Sequence, residues 1–303
     1  MDESDYLTSV FSVRQSGFVV FYELLQRIKN KQPTSLIRLG DGEGAILGYP
    51  DITSRKHVNS FFNTWYGHTD FPEEAIVQHH RQLKEAILAA DIVGLPREKQ
   101  INKSPRWAAV EQALMKHQLI DNSLIITDAA IHRYLTFALF YRPLLANQPF
   151  LGIISCRDVA TKLARVFHID DVAHYPIKGE SACPGDHDAP HFPNDFEKLR
   201  ATLTVPFKGA IFLVGAGVLG KTYCQWIKER GGIAIDIGSM FDAWEGAPTR
   251  TRHPVHKLER YLETPTISLP EAVERYNATL VDRELDGQQV DINDLPSGFP
   301  ASW

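Results

Sequence analysis

Two carboxylates separated by a single glycine, Asp41 and Glu43, are the residues of this sequence with the clearest chemical potential. Gly40 and Gly42 beside them let the backbone bend tightly and let a ligand approach closely. Mg²⁺ and Mn²⁺ prefer oxygen ligands, and Mg²⁺ is usually held by one or two carboxylates together with substrate phosphates. Arg38, just before the pair, offers a planar guanidinium suited to a phosphate or to orienting a carboxylate. The segment predicts a metal and phosphate site, although an Asp-Gly surface turn would show the same pattern.

A second pattern, at residues 215–220 (GAGVLG), has the spacing G-x-G-x-x-G through Gly215, Gly217 and Gly220. It follows an expected strand and opens an expected helix, which is the context of the dinucleotide fingerprint. There, backbone N–H groups and a helix N-terminus approach a diphosphate, and Asp236 stands about where an acid contacts a ribose hydroxyl. The pattern fits an NAD(P) cofactor and a nucleotide sugar equally well. A glycine-rich turn that only serves tight helix–strand packing also remains open.

The same segment satisfies the P-loop pattern G-x-x-x-x-G-K-[ST] at residues 215–222, with Lys221 as the phosphate-binding lysine. Because a P-loop normally closes an early strand and is paired with a later acidic strand end, we favour the dinucleotide-type interpretation. Ser239 and Asp242 follow the last expected strand. They are candidates for the wall of a sugar or uracil pocket.

A third segment, residues 178–195, is dense in titratable groups. His187 and Asp188 are candidates for a general base that activates an acceptor hydroxyl. With Asp186 and His191 they could instead bind a transition metal. A polar surface loop that leads into a helix explains the segment equally well.

Short apolar runs alternate with helical stretches and must position these groups. We expect strands at residues 35–39, 92–95, 123–127, 150–154, 172–177, 209–214 and 233–237. We expect helices at 16–29, 72–90, 105–117, 131–145, 158–167, 194–203 and 221–230, and a turn at 40–44. Continuously apolar strands predict an α/β fold, with a Rossmann-like, mostly parallel sheet and helices on both faces. Ligands of such sheets bind beyond the carboxyl ends of the strands, where Asp41 and Glu43 fall.

The composition of the 303-residue chain is that of an ordinary globular protein, with a formal net charge of -5 that argues against a nucleic-acid partner. Three cysteines without a CxxC pair suit a reducing compartment. We expect a cytoplasmic protein, because the acidic N-terminus differs from a signal peptide and no run approaches the roughly 18 apolar residues of a membrane span. We expect a site-bearing domain at 1–250. The extension at 251–303 is expected to be loosely ordered, or packed on the surface or on a partner.

The combined motifs resemble the GT-D type glycosyltransferases, whose founding members glucosylate bacterial serine-rich adhesins. The resemblance rests on residues 35–43 (SLIRLGDGE), 215–221 (GAGVLGK), 231–239 (GGIAIDIGS) and 242–244 (DAW). It implies a GT-D fold in which Asp41 and Glu43 bind Mn²⁺ or Mg²⁺ against the diphosphate of a UDP-sugar. It also implies a bacterial hexosyltransferase, of the kind used in polysaccharide biosynthesis, with a glycan, glycoprotein or lipid-linked acceptor and a possible homo-oligomeric state.

Two other hypotheses stay open on the residues alone. The first is an NAD(P)-dependent oxidoreductase that uses the glycines of 215–220 together with Asp236. It leaves Asp41 and Glu43 unexplained and places the fingerprint unusually late in the chain. The second is a non-catalytic module that binds a sugar nucleotide or a partner.

Overall fold

A seven-stranded sheet in which every strand pair is parallel organises the computed structural model of this chain. The structure describes residues 14–67, 71–121, 123–179, 191–247, 256–282 and 287–303. The strands are β1 (Thr34–Arg38), β2 (Ile92–Leu95), β3 (Ile125–Asp128), β4 (Leu151–Ser155), β5 (Val172–Pro176), β6 (Ile211–Gly215) and β7 (Ile233–Asp236). Their order in the sheet is β3-β2-β1-β7-β6-β4-β5. All seven strands that the sequence predicts are confirmed, with small shifts at their ends.

Helices connect the strands and cover them. Before β3 they are α1 (Gly17–Lys29), α2 (Asp41–Leu47), α3 (Arg55–Tyr66), α4 (Glu73–Leu88), α5 (Glu98–Ile101) and α6 (Pro105–Lys116). From β3 to β7 they are α7 (Ile131–Phe137), α8 (Tyr141–Leu145), α9 (Ala160–Phe167), α10 (Asn194–Thr202) and α11 (Leu219–Glu229). After β7 come α12 (Met240–Glu245), α13 (Arg260–Glu263), α14 (Leu269–Asp282) and a 3₁₀ turn at Ile292–Asp294.

Alternate side chains of the strands enter two separate hydrophobic clusters. Ile37 and Val93 belong to the cluster on one side of the sheet, whereas Leu36 and Ile92 belong to the other. All four are fully buried. Because both faces are covered, each strand is apolar at nearly every position instead of at every second one. The predicted α/β sheet with helices on both faces is therefore confirmed.

Two local predictions need correction, and one helix that contributes to the site was missed. The predicted turn at 40–44 is wrong, because α2 begins at Asp41. The predicted helix at 131–145 is two helices, α7 and α8, which are separated where Leu139 adopts a φ of 56°. The amphipathic helix α3 was not predicted at all, and it supplies part of the wall of the site described below.

The described part of the C-terminal extension packs against the main sheet domain. Ile267, Tyr276 and Trp303 are buried in the same hydrophobic cluster as residues of α1. The indole N–H of Trp303 donates to the carbonyl oxygen of Ala138 at 2.8 Å. The described residues of this segment are therefore packed against the sheet domain. Within the described ranges, no helix is both long and apolar enough to cross a bilayer.

Candidate active site

A cavity of about 540 Å³ lies at the carboxyl edge of the sheet. Ligand sites typically enclose roughly 300–1,000 Å³. Every strand contributes a residue at or just beyond its end: Arg38, Arg97, Ala129, Ser155, Lys178, Gly215 and Asp236, for β1 to β7 in turn. In the sheet, β2 and β3 lie on one side of β1, and β7, β6, β4 and β5 lie on the other side. The cavity therefore sits at a topological switch point, where open α/β sheets bind their ligands.

The two carboxylates of the Asp-Gly-Glu segment are held in the first turn of α2. Gly40 is the N-cap residue, and its N–H donates to Oε2 of Glu43 at 2.7 Å. This bond satisfies one of the N–H groups that the start of a helix leaves open. Acidic side chains at this end also interact favourably with the helix dipole. The local structure thus orders both carboxylates at the end of β1.

Gly44 explains how a glycine-rich segment can be helical here. A Cβ atom on Gly44 would lie only 1.8 Å from the carbonyl oxygen of Arg106. The glycine therefore allows α2 to pack directly on the start of α6. This close packing brings Nη2 of Arg106 to 3.2 Å from Oδ2 of Asp41.

A buried lysine joins the two sequence motifs. Nζ of Lys221, on α11, lies 2.7 Å from Oε1 of Glu43 and 3.0 Å from Oδ2 of Asp236. It also donates to the carbonyl oxygen of Gly217 at 3.0 Å. An ammonium group has three N–H donors, so each of them has one partner. The glycine-rich segment and the Asp-Gly-Glu segment are parts of one electrostatic unit.

The same unit fixes the charge of its members. Burial alone would lower the pKa of Lys221, but the carboxylates of Asp236 and Glu43 outweigh burial and hold the pKa above its usual value. Burial alone would raise the pKa of Asp236, but Arg38 and Lys221 outweigh it and hold the pKa below its usual value. Lys221 is therefore a cation and Asp236 an anion at neutral pH.

Arg38 also belongs to this network, and it lines the cavity as well. Its Nη2 donates to Oδ1 of Asp236 at 3.0 Å, and its Nε donates to the carbonyl oxygen of the same residue at 3.0 Å. Nη1 donates to Nδ1 of His132 at 2.9 Å. Burial, followed by the charge of Arg38, holds the pKa of His132 well below its usual value. His132 is therefore neutral and accepts at Nδ1.

The donor set of Asp41 and Glu43 fits a hard divalent cation. The side chain of Asp41 is 42% exposed at the cavity wall. That of Glu43 is 7% exposed and already accepts one hydrogen bond on each oxygen. A carboxylate has about four lone-pair sites, so Glu43 retains coordinating capacity. Within the described ranges, no group of three or more His, Cys, Asp and Glu side chains could hold a metal ion. A cation on this pair would take its other ligands from phosphate and water, as Mg²⁺ commonly does.

The glycine-rich segment is shaped by side-chain packing as much as by ligand access. Gly217 has a φ of 54°, and a Cβ atom there would lie 2.7 Å from the indole of Trp65. Gly215 and Gly217 line the cavity, as does Lys221. Gly220 instead lies where a Cβ atom would meet Val214 at 3.3 Å, so it serves helix–strand packing. Because Lys221 and Asp236 are committed to each other, neither the P-loop role nor the ribose role is supported.

Aromatic side chains form a wall that the sequence motifs did not reveal. Phe61 and Trp65 lie on α3, and Trp107 lies near the start of α6. All three line the cavity. Phe61 covers Gly42, and the indole of Trp107 comes within 3.6 Å of the Cβ position of Gly40. The spacing of Phe61 and Trp65 at i and i+4 on a helix was the available signal, but it is also the spacing of ordinary core residues.

Of the remaining residues that the sequence singled out, some line the cavity and others do not. Ser239 and Asp242 line the cavity, and Oδ1 of Asp242 accepts a hydrogen bond from Nε of Arg157 at 2.8 Å. His187 and Asp188, the candidates for a general base, lie outside the described residues. His191 is buried beneath the surface and its Nε2 bonds to the hydroxyl of Tyr223.

The described wall of the cavity is strongly cationic. Seven Lys and Arg side chains line it, against four Asp and Glu side chains, an excess of three positive charges. The cations are Arg38, Arg97, Arg106, Arg133, Arg157, Lys178 and Lys221, and the anions are Asp41, Glu43, Asp236 and Asp242. A concave surface with one predominant sign of charge attracts ligands of the other sign.

Several solved structures resemble this chain, each over 76% of its length. One is a selenomethionine-substituted domain of unknown function 1792 (17% identity, 82% of that chain, TM-score 0.48). Another is described as the highly conserved domain of unknown function 1792 with a distinct glycosyltransferase fold (18%, 82%, 0.46). A third is a new glycosyltransferase (DUF1792) from Streptococcus sanguinis (15%, 85%, 0.45). No curated protein matches the chain significantly.

The family is shown by a match to the family model itself. Residues 17–244 match the GT-D-like family, described as a GT-D fold-like domain. The matched segment contains all seven strands and every described residue of the charged network. The chain therefore belongs to the GT-D-like family and is a glycosyltransferase by fold.

Proposed function

We propose that this chain transfers a sugar from a UDP-sugar to a hydroxyl group of a glycan, glycoprotein or lipid-linked acceptor, with a divalent cation held by Asp41 and Glu43. The observation that supports it most strongly is the placement of these two carboxylates. Asp41 faces a cationic cavity, and Glu43 is fixed by Gly40 and Lys221 beside it. The cavity lies at the sheet's switch point, where a nucleotide is expected.

The charged network would keep the donor-binding groups in place during the reaction. Lys221 holds Glu43 at the start of α2, and Arg38 and Lys221 hold Asp236 at the end of β7. Side chains that are fixed before the substrate arrives lose little entropy on binding. A bound Mn²⁺ or Mg²⁺ would supply Lewis-acid neutralisation of the charge on the departing diphosphate.

Two members of the aromatic wall, Phe61 and Trp65, would give the donor an apolar surface and limit water. Phe61 covers Gly42 and Trp65 lies against Gly217, and both line the cavity. The indole ring of Trp65 suits the flat face of a uracil base or the C–H face of a sugar ring. Excluding water would protect the activated sugar from hydrolysis.

His187 and Asp188 remain the proposed candidates for the base that activates the acceptor hydroxyl. They follow Gly179, which is the last described residue of the cavity wall on the β5 side. Asp236 is an unsuitable base, because both of its carboxylate oxygens accept bonds from cationic groups.

A panel of nucleotide sugars tests the proposed function. The purified chain is incubated with UDP-, GDP-, ADP- and CMP-linked sugars, with Mn²⁺ or with chelator, and the released nucleotide is measured. We expect release from at least one UDP-sugar that is lost in chelator. Turnover of NAD(P)H with a small carbonyl compound, together with no release from any nucleotide sugar, would overturn the proposal.

A further inference from the structure

One wall of the cavity carries two guanidinium groups beside an indole ring. We call it the β2-side wall and define it as Arg97, Arg106 and Trp107, which follow β2 and begin α6. The side chains of Arg97 and Arg106 are 15% and 29% exposed. Arg106 pairs with Asp41 at 3.2 Å, whereas the ion pair of Arg97 within the described ranges is a long one, 3.9 Å to Asp128.

The topology separates this wall from the proposed diphosphate position. Asp41 and Glu43 follow β1, and the glycine-rich segment follows β6. Strand β7 lies between β1 and β6, and β2 lies on the other side of β1. A diphosphate that touches both motifs therefore lies over β7. The β2-side wall is left for the other substrate.

Charge balance points the same way. Among the lining residues, positive side chains exceed negative ones by three, but Asp128 and Glu245 outside the lining pair with Arg97 and Arg157. A diphosphate diester has one negative charge on each phosphate, and these two charges are matched by the proposed divalent cation. The donor and its cation therefore leave the guanidinium of Arg97 with Asp128, at 3.9 Å, as its ion-pair partner. A carboxylate or phosphate on the other substrate would give this guanidinium a closer, charge-assisted hydrogen bond.

The residue types indicate the chemistry of that second group. Guanidinium groups are planar forks that pair with carboxylate and phosphate oxygens, often through two parallel hydrogen bonds. The adjacent indole of Trp107 offers an apolar face on which the C–H side of a sugar ring can pack. Carboxylate and phosphate present the same oxyanion chemistry to such a wall.

We propose that the acceptor is an anionic sugar, with a carboxylate or phosphate held by Arg97 and Arg106 and its ring packed on Trp107. This inference rests on the proposed transfer function, and it deepens that function by naming the acceptor class. It assigns Arg97 as an acceptor-binding residue that distinguishes charged from neutral acceptors. Arg106 belongs to this wall but also pairs with Asp41, the proposed metal ligand, so Arg97 is the cleaner position to test.

The test compares acceptors that differ only in charge. A glucuronide and a glucoside with the same aglycone form one pair, and a lipid-diphosphate-linked sugar and its neutral glycoside form the other. Acceptor KM and kcat are measured at saturating donor for wild type, Arg97→Gln and Arg97→Lys. We expect at least one charged acceptor to have a kcat/KM about tenfold higher than that of its neutral partner. A tenfold ratio corresponds to the free energy of about one charge-assisted hydrogen bond.

The variants decide whether Arg97 is responsible. Arg97→Gln should remove most of this preference through KM, and Arg97→Lys should retain part of it. Arg81→Gln, at a side chain that is 71% exposed on α4, is the matched control and should keep the preference. A preference within the glucuronide and glucoside pair would identify the bound group as a carboxylate. A preference within the lipid-linked pair would identify it as a phosphate. Equal use of charged and neutral acceptors, or an equal loss on both in Arg97→Gln, overturns the proposal.

A binding measurement separates this inference from the proposed function. Saturation-transfer NMR with UDP and Mn²⁺ present compares the binding of the charged and neutral compounds without any turnover. If no nucleotide sugar is a donor, the proposed function fails, yet a charged compound that binds wild type more tightly than Arg97→Gln would still support the anionic site. No preference in binding overturns the site whether or not transfer occurs.

Discussion

The ammonium group of Lys221 lies 2.7 Å from Oε1 of Glu43. This contact joins two segments that are far apart in the sequence, the start of α2 and the start of α11. Asp236 and Arg38 extend the contact into a row of alternating charges at the carboxyl edge of β1 and β7. Such a row requires each partner, because any one charge left alone would be buried without compensation.

Replacing Lys221 by methionine should therefore destabilise the fold strongly. Glu43 would lose its cation, and Asp236 would keep only Arg38. Breaking a buried ion pair by removing one partner typically costs about 3–5 kcal/mol. Urea unfolding followed by circular dichroism gives the free energy of unfolding.

Lys228→Met is the matched control, because Lys228 lies on the same helix and pairs with Asp91 at 2.7 Å, but its side chain is 28% exposed. A more exposed pair is worth about 1 kcal/mol or less. If both variants lost the same free energy of unfolding, the buried row of charges would contribute no more to stability than an ordinary partly exposed ion pair.

Gly217→Ala should disturb the aromatic wall as well as the backbone. Gly217 and Gly246 both have a positive φ, 54° and 89°. A Cβ atom would meet the indole of Trp65 at Gly217 but no atom within 4 Å at Gly246. Both alanine variants should lose about 1 kcal/mol from the left-handed backbone, and Gly217→Ala should lose about 1–3 kcal/mol more from overpacking.

Thermal unfolding of the two variants measures that difference directly. A displaced Trp65 should also change the tryptophan fluorescence of Gly217→Ala and leave that of Gly246→Ala unchanged. If the two variants lose the same stability, Trp65 does not pack on Gly217 as described.

Two buried histidines make the stability depend on pH. Burial lowers the pKa of His79 to about 4, and burial together with the charge of His79 lowers the pKa of His191 to about 4. Both are neutral in the folded state and take up protons more readily when unfolded. Their contribution is complete above the unfolded pKa of 6.5, and it is lost as the pH falls from there towards 4.

We expect the free energy of unfolding to fall by about 2 kcal/mol for each histidine between pH 7.5 and pH 5. Urea unfolding at a series of pH values measures this slope. A double variant, His79→Gln with His191→Gln, should show a smaller slope even if it is less stable overall. An unchanged slope in the double variant would mean that these histidines are not the source.

Much of the fold follows from local sequence patterns, because buried parallel strands are apolar at nearly every position. The position of Asp41, Glu43 and Asp236 at the carboxyl edge of the sheet was predictable, because each lies at or just after the end of a strand. What could not be predicted depends on contacts between distant segments. Gly44 looks like part of a turn until the carbonyl oxygen of Arg106 is placed beside it. Lys221 looks like a phosphate ligand until its buried carboxylate partners are known.

Asp41→Asn should abolish most donor turnover without unfolding the chain, because its side chain is 42% exposed. Loss of a metal ligand removes several kcal/mol of transition-state stabilisation, so the rate should fall by about a hundredfold or more. Asp51→Asn is the matched control, since Asp51 is 54% exposed and pairs with Lys116 away from the cavity lining. Release of UDP from the active donor measures both variants. Similar activity in the two variants contradicts the role of Asp41.

Calorimetric titration of UDP into wild type and Asp41→Asn, each with Mn²⁺ and with chelator, tests the cation site most directly. We expect Mn²⁺ to tighten UDP binding to wild type by about tenfold or more, equivalent to about 1.4 kcal/mol. In Asp41→Asn the difference between Mn²⁺ and chelator should largely disappear. If wild type binds UDP equally well with and without Mn²⁺, the carboxylates of α2 do not hold a cation against a diphosphate.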